Sequence, residues 1–294
     1  MNDKAQFDQQ HFDSLFPEMK FTRRDFLASS AATGFALAAG PVMAQQAIKT
    51  STDGLEAADI RIPVAGGGQM PAYYAAPKKA GKFATVIVIP EIFGLHEYQK
   101  DICRRLAKAG YYAISSDPFF RKGDLAKMTD FKQVLAAANS LEDTQMLSDL
   151  DVLASWVEKQ PKANARKLGI TGMCRGGRTV WMYSAHNKKI KAGVSWYGGL
   201  NPTPPAQPQS PIDVIDRLNA PVLGLYGGAD QGIPMNMVER LQAAIRAFEK
   251  PCEIHVYEGM PHAFHADYRP SYRKEAAEDG WKRMLAWFKK HGVA

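Results

Sequence analysis

Cysteine is scarce in this chain, with three residues in 294. That excludes a disulfide framework. Cys103 lies on the apolar stripe of a helical pattern and Cys252 opens a strand pattern, so both read as core. A bridge between them is the alternative in an oxidising compartment. No Cys/His cluster has zinc spacing: His262 and His265 stand three apart with no further ligand converging on them. Neither a metal nor a cofactor is expected. Acidic residues are outnumbered, 30 against 37 basic, for a formal net charge of +7. A moderately basic surface favours anionic small molecules or membrane faces, but the charges spread along helices and read mostly as a solvated face. There is no repeat, no low-complexity run and no nucleic-acid motif. The apolar stretch Phe26–Ala39 falls short of the roughly 20 residues that span a bilayer.

What the chain does have is Gly172-x-Cys174-x-Gly176-Gly177, after an apolar run and before a helical pattern. This is the pattern of a nucleophile elbow with cysteine in place of serine. The strand-to-helix turn is so tight that flanking side chains would clash, hence the glycines. A helix N-terminus behind the sulfur favours negative charge there and on a developing oxyanion. Taken alone, Cys174 reads equally well as a small buried residue beside an ordinary turn.

Its partners follow in the order acid, then histidine. The run 221–230 is an apolar strand that ends in Gly227-Gly228-Ala229-Asp230, which puts Asp230 at a strand's carboxyl end, where open parallel sheets keep their sites. The run 252–262 is a second strand that turns into His262. The gaps from Cys174 to Asp230 and from Asp230 to His262 each fit about one αβ unit. As separate residues, Asp230 could cap the helix from Pro234 and His262 could be a solvated loop histidine. Trp196 and Tyr197 end the strand one unit after the elbow. They wall an apolar pocket or form a core aromatic pair.

A further strand, 84–90, ends at Glu91. With the cysteine elbow, Gly-Gly-Ala-Asp230 and Gly-x-x-His262-Ala-Phe, the chain resembles the dienelactone hydrolase (carboxymethylenebutenolidase) family over roughly residues 55–290. The resemblance implies an α/β-hydrolase fold, with a mostly parallel sheet and helices on both faces. It implies Cys174 as nucleophile, His262 as base and Asp230 as its orienting acid. The backbone N–H groups of Ile92 and Arg175 would form the oxyanion hole. Glu91 would be the resting partner of the thiol, and Arg121 an arginine that engages Glu91 and a substrate carboxylate. Pairing with Asp124 is the simpler role for Arg121. Before substrate binds, the thiol would face Glu91 and keep its proton. An anionic substrate would then draw Arg121 away and free Glu91 to take it. The chain departs from the family's founding pattern at Ala266, where a second substrate-binding arginine is expected, and at Ala263, where a hydroxyl is. Arg269 is near, in another register.

The expected function is therefore hydrolysis of a lactone or small carboxylic ester through a thioester. A general carboxylesterase is the nearest alternative. A hydrolase-fold binding protein without catalysis would lack reason for all of Cys174, Asp230, His262 and Glu91. A thiol redox protein would want a resolving cysteine in a Cys-x-x-Cys arrangement, which is absent.

Residues 21–27, Phe-Thr-Arg23-Arg24-Asp-Phe-Leu, resemble the twin-arginine export signal, and Val42-Met43-Ala44 offers small residues for cleavage. The expectation is a removed segment over 1–44, recognition by the twin-arginine translocation machinery, and a periplasmic or secreted domain over 45–294. That domain carries a net charge of +8, since the first 44 residues hold 4 basic and 5 acidic side chains.

The pattern predicts a hairpin at 60–63 and 70–76, strands at 84–90, 111–115, 167–171, 191–196, 221–226 and 252–257, and helices at 97–109, 142–159, 176–185, 235–249 and 273–290. The segment 116–141 is weakly patterned and positioned to cover the site. The segment 199–216 is dense in proline and reads as a surface loop.

Overall fold

The computed structural model describes residues 47–294, and the proposed export segment lies outside the described residues. Eight strands form one sheet in the order β1-β2-β4-β3-β5-β6-β7-β8. The strands are β1 Leu55–Pro63, β2 Gln69–Pro77, β3 Phe83–Ile89, β4 Tyr112–Ser116, β5 Ala163–Met173, β6 Ile190–Trp196, β7 Val222–Gly227 and β8 Glu253–Tyr257. β1 and β2 form the antiparallel hairpin, β2 pairs antiparallel to β4, and β4 through β8 run parallel. The architecture is the α/β-hydrolase-like fold that the family resemblance implies, a mostly parallel sheet covered by helices.

The central strands are apolar on both faces, as a sheet covered by helices requires. Every residue of β3, β4 and β7 is buried. The covering helices are α1 Glu97–Lys108, α2 Phe131–Asn139, α3 Asp143–Val157, α4 Arg175–His186, α5 Met235–Ala247 and α6 Lys274–Lys290. None of the helices among the described residues is long and apolar enough to cross a membrane.

The elements follow the sequence pattern with corrections, and β1 begins at Leu55, five residues before the predicted strand. β5 starts earlier than its apolar run, because Ala163 and Asn164 pair with Phe83 and Ala84 before a register shift. The weakly patterned segment 116–141 contains a real helix, α2. Its start is fixed by Asp130, whose carboxylate accepts from the Lys132 N–H at 2.9 Å. The proline-dense segment ends in a short 3₁₀ helix, Pro211–Arg217, opened by a reciprocal cap between Ser210 and Asp213. Cys103 is fully buried, Cys252 is half-buried, and neither is in a disulfide.

The chain leaves β3, crosses to β4 on one side, and then returns to β5 on the other side of β3. The order reverses there, and open α/β sheets carry their sites outside the carboxyl ends at such a point. Glu91 and Ile92 follow β3, and Cys174 follows β5. Asp230 and His262 sit in the loops that follow β7 and β8.

Candidate active site

Cys174 occupies the turn between β5 and α4 with φ 55° and ψ −118°. That is a left-handed, strained conformation for a residue with a side chain. It is held by its N–H donating to the Trp196 carbonyl at 3.0 Å and its carbonyl accepting from the Arg178 N–H at 3.1 Å. Glycine is required at 176 because a Cβ there would lie 2.2 Å from the Ile89 carbonyl oxygen. The first turn of α4 is thus pressed against the end of β3, which brings Cys174 beside Ile92.

A second close approach joins acid and base. A Cβ on Gly227 would stand 2.4 Å from the Met260 carbonyl oxygen. Its absence lets the end of β7 meet the loop that carries His262. Asp230 then accepts from His262 Nδ1 at 2.6 Å through Oδ2, while Oδ1 takes the Gly232 N–H at 2.9 Å. With Nδ1–H committed to the carboxylate, Nε2 is the basic nitrogen, and the Cys174 side chain is a hydrogen-bonding neighbour of the ring. Both residues of the pair are buried. Burial alone would push His262 down, but the charge of Asp230 and the nearby Cys174 outweigh it and raise the imidazole to about 10.

Cys174, His262, Ile92 and Arg175 line one cleft of about 680 Å³, counting the part open to solvent. The N–H groups of Ile92 and Arg175 donate to no backbone acceptor among the described residues. The opposite wall comes from segments that carried little signal in the sequence: Asn139 at the end of α2, and Leu200, Thr203 and Gln207 from the proline-dense stretch. Gln207 Nε2 donates toward the carbonyls of Asn139 and Leu141 at 3.4 Å, so the two segments form one roof.

Glu91 is fully buried behind the nucleophile. Its Oε2 accepts from the Tyr268 hydroxyl and from Arg269 Nη2, the latter at 3.1 Å. Its Oε1 has no hydrogen-bond partner among the described residues. His96 lies near by, 4.0 Å from Oε2, and burial lowers its pKa to about 4, so it is neutral. Glu91 makes no hydrogen bond to Cys174.

The arginine at Glu91 is Arg269, not Arg121. Arg121 is forked onto Asp149 of α3, with Nη1 to Oδ2 at 2.6 Å and Nη2 to Oδ1 at 2.9 Å. Asp124, its simpler sequence partner, pairs with Lys127 instead. Arg269 takes the place at Glu91 that was expected of Arg121, and it does not line the cleft. Successive tight turns, Ala266 N–H to Ala263 O and Arg269 N–H to Ala266 O, fold the chain back so that Arg269 reaches Glu91.

Trp196 and Tyr197 are fully buried and do not line the cleft. Trp196 donates from Nε1 to Thr171 Oγ1 at 3.2 Å and packs 4.4 Å from the His265 ring. It belongs to the core. Tyr197 sets its ring edge-on to His262 at 5.0 Å. It supports the imidazole and does not form a pocket wall.

The dienelactone hydrolase family model matches residues 70–292. The chain is 49% identical over 283 residues to a Methylorubrum extorquens protein named "Putative carboxymethylenebutenolidase", covering 96% of this chain and 97% of that one. A Bradyrhizobium protein named "Probable 2-oxo-3-(5-oxofuran-2-ylidene)propanoate lactonase" is 32% identical, over 75% of this chain and 89% of that one. The crystal structure titled as a putative dienelactone hydrolase of Klebsiella pneumoniae subsp. pneumoniae is 47% identical and superposes with a TM-score of 0.77, covering 80% of this chain and 99% of that one. The chain belongs to the dienelactone hydrolase family, and it is a hydrolase.

Proposed function

We propose that the chain opens a lactone or small carboxylic ester by thiol-based acyl transfer. The observation that carries this reading is one cleft holding a strained, helix-capping Cys174 beside the buried His262–Asp230 pair. Cys174 Sγ attacks the carbonyl carbon as the thiolate, paired with the His262 imidazolium. The oxyanion sits against the Ile92 and Arg175 N–H groups. On collapse the C–O bond breaks and His262 gives its proton to the leaving oxygen. Water then attacks the thioester, giving up a proton to His262, and the products are a carboxylic acid and the free thiol. Asp230 keeps the imidazole in the tautomer this sequence needs. Glu91, with Oε1 unpaired and Oε2 anchored by Tyr268 and Arg269, is the carboxylate that the resting thiol would face while it keeps its proton, and the group that would take that proton once substrate binds.

The family relatives are named for dienelactone and oxofuran lactone chemistry, so unsaturated lactones head the substrate panel, with p-nitrophenyl esters beside them. Purified residues 45–294 should turn over members of that panel and lose the activity on iodoacetamide treatment. No turnover of any of them, or turnover indifferent to alkylation, overturns the reading.

The reading extends to export. Arg23 and Arg24 would direct the twin-arginine route, with cleavage after Ala44. Arg23→Lys together with Arg24→Lys is expected to leave uncleaved precursor in the cytoplasm. Normal appearance outside the cytoplasm of a chain that begins near Gln45 would contradict it. Cell fractionation with N-terminal sequencing reads the outcome.

A further inference from the structure

A second cavity, of about 880 Å³ counting the part open to solvent, shares no lining residue with the cleft of Cys174. One side of it is aromatic. Trp281 of α6 stacks on the His265 ring, with centroids 5.9 Å apart and planes 16° apart. Tyr272 and Ile48 line it as well, and Ile48 is one of two large apolar side chains left exposed among the described residues. His265 is 3% exposed and makes one hydrogen bond among the described residues, between Nδ1 and the Tyr98 hydroxyl at 2.6 Å. Burial keeps the Tyr98 phenol protonated, and its hydroxyl has no other acceptor among the described residues. The hydroxyl therefore donates to Nδ1, and the ring proton sits on Nε2. Burial, and then the Arg105 charge, hold this imidazole well below its ordinary range, so it is neutral. Nε2 has no acceptor among the described residues and is not sealed from solvent, so its N–H opens on the cavity that His265 lines.

The rim is positive. Arg105 is held between Asp101 and Asp267, and Glu278 pairs with Lys274. Lys108 donates to the Asp53 carbonyl, and Lys282 makes no ion pair among the described residues. Two lysines thus border the aromatic side with no carboxylate of the chain paired to them.

We propose that this cavity is a second ligand site, apart from the catalytic cleft, that takes a small planar aromatic acid. The ring lies against Trp281 and Tyr272, an oxygen accepts from His265 Nε2–H, and the negative charge faces Lys108 and Lys282. Each feature removes a class of ligand. A cation would meet two lysines. A simple aliphatic chain would bury the Nε2–H without an acceptor, which costs free energy. A neutral aromatic gains the stack but nothing from the rim. The site stands independently of the ester-hydrolase reading.

The test is calorimetric titration of the purified chain with naphthoate and with its neutral isostere naphthamide. Wild type should bind naphthoate about fivefold more tightly than naphthamide, the scale of an exposed charge pair. Lys282→Glu, at an exposed position, should erase that preference and leave the naphthamide affinity unchanged. Trp281→Leu should weaken both probes about tenfold, through loss of the ring stack and its apolar area. Neither residue lines the cleft of Cys174, so probes bound there would not respond to these substitutions. Naphthoate binding unchanged in either variant overturns the proposal. So does a wild type that binds neither probe, as it would if a second copy of the chain covered the cavity. If Trp281→Leu does not fold, Lys282→Glu decides: loss of the naphthoate preference supports the site, and an unchanged preference removes it.

Discussion

Cys174→Ala is expected to lower kcat by at least about a thousandfold, because on the proposed mechanism it removes the nucleophile that forms the acyl-enzyme. What remains is binding and the oxyanion N–H pair, which in triad hydrolases leaves a small residual rate above water. The fold should survive. Alanine keeps the Cβ that the turn already tolerates at φ 55°, and the deleted sulfur borders the cleft, so no sealed cavity forms. Paired measurements of kcat on the best ester and of the melting temperature check this. A variant that retains a rate within tenfold of wild type would remove Cys174 from the chemistry. A variant that loses both rate and fold would be uninformative alone. Cys174→Ser, which keeps a hydroxyl at the same place, then decides: it should fold and hydrolyse far more slowly than the thiol.

The parts of the site that the sequence announced share one property: each lies within a few residues of a strand's carboxyl end. Cys174, Asp230, His262 and Glu91 can be found by locating apolar runs and reading what comes next, because a parallel sheet gathers those positions at one edge. The parts it hid depend on distances that no local pattern encodes. Arg269 lies seven residues past His262, and only the run of tight turns between them carries it back to Glu91. Arg121 has Asp149 as partner 28 residues away, on a helix face whose orientation the sequence does not state. Trp196 and Tyr197 sit at the correct strand end, but their rings turn into the core, where Thr171, Phe264 and His262 receive them. α2 was invisible because only Val134 and Ala138 of its nine residues are buried, too narrow a stripe to show a period. The cleft wall it builds with Gln207 was hidden with it.

Asp230→Asn is expected to cost kcat about a thousandfold or more, as loss of an orienting carboxylate does in triad enzymes. The geometry gives the reason. Asp230 Oδ2 accepts from Nδ1 at 2.6 Å, which leaves Nε2 as the base. An asparagine amide can donate to Nδ1 instead, moving the ring proton to Nε2, the one place where a base is needed. The same substitution should change the pH dependence of stability. Asp230 and Cys174 raise His262 above its ordinary value against the opposing effect of burial, to about 10. The folded protein therefore binds this proton more tightly than the unfolded chain, whose histidine titrates near 6.5. The resulting stabilisation is fully present below about 6.5 and is lost as pH rises through about 10. Wild-type melting temperature should fall across that window, and Asp230→Asn, which lacks the raising charge, should fall less steeply there. Melting curves from pH 6 to 10, with kcat measured on the same samples, read both effects. If Asp230→Asn keeps kcat within tenfold of wild type, the carboxylate only packs against His262, and another group must set the tautomer. If kcat collapses while the two melting profiles stay parallel, Asp230 orients the imidazole without holding its charge.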